Sequence, residues 1–121
     1  MENDLSIAMI IREPQLEGHS LVLPKRHVKN LEDLSPEESC SLNQLVDKVR
    51  FKIDEIYNVS TVIFMNGTKQ RSQEHLHYQL FPLPGDMGMR DYCAKEFNVP
   101  IYPKKTNGEL KAMAEKLKSP S

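Results

Sequence analysis

An antiparallel α+β domain is the fold class that this 121-residue sequence predicts. Three observations carry it. Four short apolar runs are cut off by Pro, Gly or Asn punctuation, as strands are. One long stripe of apolar residues at spacings of three and four marks a single amphipathic helix between the two pairs of runs. The last run alternates strictly, as a strand with two different faces does.

The first strand candidate is "LSIAMIIR", residues 5–12. "EPQLEG" follows, with Pro14 and Gly18 as turn signals, and "HSLVLP" reads as a second strand stopped by Pro24. The two form a hairpin with a longish loop. The long helix has a marked start: Ser35 as N-cap, Pro36 at the first helical position, and Glu38 completing an S-x-x-E capping box. Leu42, Leu45, Val46, Val49, Ile53 and Ile56 form its stripe, and Asn58 is its stop. "STVIFMNG" is a third strand ending at Asn66-Gly67, and "EHLHYQLFP" a fourth, closed by Pro82. Residues 86–103 carry no trusted pattern. A short C-terminal helix begins near residue 109, with Thr106 and Glu109 as capping box and a stripe of Leu110, Met113, Ala114 and Leu117. The long helix lies across one face of the sheet. The other face is then polar, or covered by a partner, or a ligand surface.

Composition narrows the function classes. With 39% apolar and 27% charged residues, the chain is no disordered tail or collagen-like repeat. A net charge of −1 gives no global pull toward nucleic acid or anionic lipid. Lys104, Lys105, Lys111, Lys116 and Lys118 read as a solvated face rather than a nucleic-acid patch. No apolar run approaches the roughly 20 residues that span a bilayer, and no signal-peptide pattern opens the sequence. Cys40 and Cys93 belong to no CxxC pair and read as reduced thiols in a cytoplasmic protein. The whole chain, 1–121, is expected to be one domain, with a core over about 5–85 and an extension over 86–121.

The alternating strand holds the chemistry. His75, His77, Gln79 and Phe81 share one face, while Leu76, Tyr78 and Leu80 share the other, the core face. Three readings compete for the polar side. It is a solvated strand face, or two ligands of a metal site completed by His19 or His27, or a site for nucleophilic catalysis at phosphorus. The third has a mechanical logic. A free imidazole titrates at about 6.5, so a neutral ring is available near pH 7. A strand offers backbone carbonyls that hold one ring nitrogen while the other attacks. His75 and Gln79 flank His77 and can contact phosphoryl oxygens. The loop before the strand adds Gly67, Lys69, Arg71 and Ser72, which supply backbone N–H groups, charge and a hydroxyl.

"EHLHYQLFP" resembles the signature strand of the histidine-triad (HIT) superfamily, H-x-H-x-H followed by apolar residues. Its H-x-H-x-Q form is similar to that of galactose-1-phosphate uridylyltransferases and diadenosine-tetraphosphate phosphorylases. "EGHSLVLPKRHV", residues 17–28, resembles the family's G-H-x-L-V-x-P-[KR]-x-H segment. "LEDLSPEE" resembles the entry to its central helix, and "FMNG" with "RSQEH" its N-x-G turn and the Ser before the triad. The likeness covers about residues 5–85.

The resemblance implies a HIT-like fold and an enzyme acting on a nucleotide substrate. His77 becomes the nucleophile of a nucleotidyl-histidine intermediate, His75 orients the site, and Gln79 contacts phosphoryl oxygens. His19, Asn66, Gly67, Arg71 and Ser72 become substrate-binding residues. The implied activity is hydrolysis or nucleotidyl transfer at a phosphoanhydride, such as that of a dinucleoside polyphosphate. A homodimer is implied, no cofactor is required, and magnesium is expected only with a polyphosphate substrate. A non-catalytic nucleotide-binding regulatory module is the alternative, and a zinc-dependent hydrolase a further one. Three departures qualify the resemblance. Gln79 cannot deliver a proton, so anionic leaving groups are expected to be favoured over amines. Ile11 stands where many members carry the Asp or Asn that holds the ribose. Few residues precede the first strand, so the family's usual N-terminal segment is not expected, nor a structural zinc.

Overall fold

A computed structural model describes residues 1–12, 14, 16–67, 74–85, 87–96 and 103–118. The elements run β1 (Ser6–Ile10), β2 (Ser20–Pro24), a single 3-10 turn (Leu31–Asp33), α1 (Pro36–Tyr57), β3 (Ser60–Phe64), β4 (Tyr78–Leu83), α2 (Met89–Glu96) and α3 (Asn107–Lys118). The four strands form one antiparallel sheet in the order β1-β2-β4-β3. This is the α+β architecture expected, with α1 across one face.

The start of α1 follows its sequence signals. Ser35 Oγ accepts from the Glu38 N–H at 3.1 Å, and the Glu38 carboxylate accepts from the Ser35 N–H at 2.9 Å. Its end follows too: Asn58 adopts the left-handed conformation, φ 51°, as the C-cap. Between these ends, Leu42, Leu45, Val46, Val49 and Ile53 pack on Val22 and Leu80 to make the main core. Ile56 departs from the expected stripe. It is 62% exposed, in the last turn of the helix.

The fourth strand begins later than the alternation predicts. The ladder opens at Tyr78, and His75, Leu76 and His77 lie in the approach to it. The β2–β4 pairing stops at Val22–Tyr78 although β2 runs on to Pro24, and the Leu76 N–H donates instead to the carbonyl of Val28 at 2.7 Å. Leu76 is buried as a core-face residue should be.

The face opposite α1 is not wholly polar. Phe81, Leu83 and Tyr92 form a second small core there, with Leu16, Val62, Phe64, Met87 and Met89 packed against it. Tyr92 belongs to α2, inside the segment that the sequence leaves unassigned. Phe81 therefore caps the polar row at one end: its ring meets Tyr92 edge-on at 5.6 Å. α3 buries none of its residues. No helix among the described residues is long and apolar enough to cross a membrane.

Candidate active site

Strand register brings the polar residues of two distant segments together. Leu21 pairs with Gln79 across the β2–β4 ladder, so His19, two residues before Leu21, is a diagonal neighbour of Gln79 on the same face. Their side chains meet, with His19 Nε2 at 2.9 Å from Gln79 Oε1. The position of His19 depends on its neighbour Gly18. That residue has φ +90°, and a Cβ on it would stand 2.7 Å from the Tyr57 ring.

His77 is 7% exposed, and its Nδ1 lies 2.9 Å from the carbonyl oxygen of His75. A carbonyl only accepts, so Nδ1 carries the proton and donates. In the neutral ring the Nε2 lone pair is then free, and no described residue hydrogen-bonds to it. His75 is held in the same way one step further back: its Nε2–H donates to the carbonyl of Arg26 at 3.1 Å. The His27 ring leans over His75 with centroids 4.7 Å apart.

Arg26 is itself clamped. Its guanidinium donates to both Glu38 carboxylate oxygens, at 2.9 and 2.8 Å, and to the carbonyl of Asp33 at 2.7 Å. The Arg26 bonds and the Ser35 N–H hold the Glu38 carboxyl well below the usual carboxylate range, at about 2. One chain of contacts thus runs from the first turn of α1 through Arg26 and His75 to His77. Sequence reading missed Arg26 and gave Glu38 only a capping role. The signal was an Arg two residues after Pro24, but a main-chain acceptor leaves no mark on side-chain pattern.

The remaining expected residues divide. Asn66 and Gly67 are exposed just beyond β3 and line a shallow hollow with Asn30, Leu31 and Leu76. No hydrogen bond joins either to the histidines. Lys69, Arg71 and Ser72 lie outside the described residues. Ile11 is half-buried and donates its backbone N–H to the carbonyl of His19 at 3.2 Å. No group of three or more His, Cys, Asp or Glu among the described residues is placed to hold a metal ion.

This geometry has relatives. A HIT domain family model matches residues 1–84. The chain belongs to the HIT family. An adenosine 5'-monophosphoramidase from Schizosaccharomyces pombe is 32% identical over 98% of this HIT chain and 84% of its own length. A bis(5'-adenosyl)-triphosphatase from Dictyostelium discoideum is 33% identical over 65% of this chain; the match spans 55% of that relative. Among solved structures, a Hit-like protein from Bartonella henselae matches with TM-score 0.63 and 28% identity, over 68% of this chain and 66% of that one. A HIT family protein from Bacillus anthracis shares the fold at TM-score 0.68 and 23% identity, over 97% of this chain and 82% of its own.

Proposed function

We propose that this HIT chain is a nucleotide hydrolase or nucleotidyltransferase that opens a phosphoanhydride through a covalent intermediate on His77. The observation that carries the reading is the Nδ1–H bond to the His75 carbonyl, which leaves Nε2 as the nucleophilic nitrogen. In the first step the Nε2 lone pair forms a bond to phosphorus, and the P–O bond to the leaving phosphate or nucleotide breaks. The electron pair leaves with that oxygen as an anion. The Nδ1–H stays on the His75 carbonyl, where it stabilises the charged ring. Water, phosphate or a sugar phosphate then attacks phosphorus, the P–N bond breaks with its electron pair returning to Nε2, and an attacking water loses its proton to solvent.

Gln79 contributes amide N–H groups to the phosphoryl oxygens and no transferable proton. A polyphosphate leaves without one, whereas an amine does not. The S. pombe relative is named a phosphoramidase and the D. discoideum relative a triphosphatase; Gln79 supports the second kind of bond here. Asn66, Gly67, Arg71 and Ser72 are assigned to the phosphates by the resemblance alone, and magnesium enters with a polyphosphate. A cytoplasmic homodimer completes the reading. Its support is the resemblance, together with the free thiols of Cys40 and Cys93 for the compartment. Sedimentation equilibrium would report twice the chain mass.

The test is direct. The protein is incubated with labelled diadenosine polyphosphate and quenched with base. An adduct on His77 is expected, and His77→Ala should lose both adduct and turnover by about 10³-fold or more. Nucleotide binding with neither adduct nor turnover would instead support the regulatory module, which Ile11 and Gln79, the two departures from the family pattern, favour.

A further inference from the structure

His19 Nδ1 is the one buried side-chain nitrogen or oxygen that has no hydrogen-bond partner among the described residues. The residue is 3% exposed, and its other nitrogen meets Gln79 Oε1 at 2.9 Å. We propose that His19 is a positioning residue that sets the orientation of the Gln79 amide. It draws the amide oxygen toward itself and leaves both N–H groups of the NH2 for the phosphoryl group. The inference rests on the reading of Gln79 given under Proposed function.

The two ends of a glutamine amide have nearly the same shape, so only a hydrogen-bond partner can choose between them. An amide oxygen accepts and cannot donate. His19 therefore carries its proton on Nε2, as the neutral Nε2–H tautomer; the cation would add a second N–H on the unpartnered Nδ1. The opposite arrangement needs the neutral Nδ1–H tautomer and a turned amide. It would leave an N–H donor in a buried position with no described acceptor, which folded proteins rarely tolerate. The Phe81 ring stands edge-on to His19, at 5.0 Å and 88°, and packs against it. The orphaned Nδ1 thus acts as a filter on the tautomer, and the tautomer fixes the amide. Turned the other way, Gln79 would present its oxygen to phosphoryl oxygens, a contact between two acceptors.

Two measurements test this. In long-range 15N–1H correlation spectra of the wild-type protein, His19 should appear protonated on Nε2. A neutral Nδ1–H signal would overturn the proposal. The second measurement compares His19→Gln, whose amide nitrogen falls near the place of Nε2 and can donate, with His19→Leu, which cannot. His19→Leu should lower kcat about tenfold with KM within about twofold, and His19→Gln should recover most of the loss. In a Gln79→Met background the two variants should become equal. A merely structural His19 gives the reverse order, because a buried leucine is tolerated better than a buried amide. His19→Leu as active as His19→Gln, or a difference that persists beside Gln79→Met, would refute the assignment. If the wild-type chain turns over no nucleotide, the phosphoryl reading fails, yet the tautomer spectrum still decides whether His19 sets the amide.

Discussion

Two main-chain carbonyls decide what the histidines can do. The His75 carbonyl accepts a hydrogen bond from His77 Nδ1–H, and the Arg26 carbonyl accepts one from His75 Nε2–H. Each ring is thereby held in one tautomer, with its other nitrogen facing away from the holding oxygen. Gln79 has no proton to give, and the proposed function makes the choice of leaving group depend on that side chain. Replacing it tests that dependence. Gln79→His supplies a group that can protonate an amine, so the ratio of phosphoramidate to phosphoanhydride turnover should rise, by up to about a hundredfold. Parallel assays on one nucleoside phosphoramidate and one dinucleoside polyphosphate would show it, and an unchanged ratio would remove Gln79 from the choice of leaving group.

The elements matter through their ends. The first turn of α1 is joined to the segment after β2 by the Arg26–Glu38 pair, and that segment carries the carbonyl that holds His75. The folded Glu38 carboxyl, at about 2, lies below its ordinary value of 4.5. Because the folded value is the lower one, the pair's contribution to stability is fully present above 4.5 and is lost as pH falls toward 2. Thermal unfolding should therefore separate Glu38→Gln from wild type most widely near neutral pH. The gap should close between those two values, and a gap constant down to pH 2 would contradict the assignment. At the other end of α1, Tyr57 presses on Gly18 in its φ +90° conformation. Gly18→Ala adds both backbone strain and a clash there, and chemical denaturation should register a loss of about 1–3 kcal/mol. The same change should disturb His19 next to it, visible as altered ring resonances.

Over the whole molecule, the two faces of one sheet divide the labour. Val22 and Leu80 anchor the α1 side with no exposure, while His19 and Gln79 meet on the other side. Leu80→Ala should cost about 2–5 kcal/mol on denaturation while leaving the His77 adduct intact at temperatures where the fold persists. Loss of the adduct in the folded variant would show that the faces are coupled. Much of this plan was legible in the sequence. The capping box, the apolar stripe and the punctuation of four apolar runs are local signals, and local propensity fixes what they encode. The alternation of residues 75–81 pointed to a strand with a polar side, but the ladder opens only at Tyr78, so strand period governs Gln79 and Phe81 and not the two histidines before them. Three features did not follow. α2 was missed because its short stretch has a single buried residue, Tyr92, too few to show a helical stripe. The Arg26 carbonyl was missed because main-chain acceptors have no residue type. The meeting of His19 with Gln79 needed the register Leu21↔Gln79, which joins segments 60 residues apart. Sequence by itself determined the helix start, its apolar stripe from Leu42 to Ile53 and the order of the strands along the chain. Only tertiary structure decided which nitrogen of each ring keeps its proton, because that depends on the acceptor that folding brings beside it.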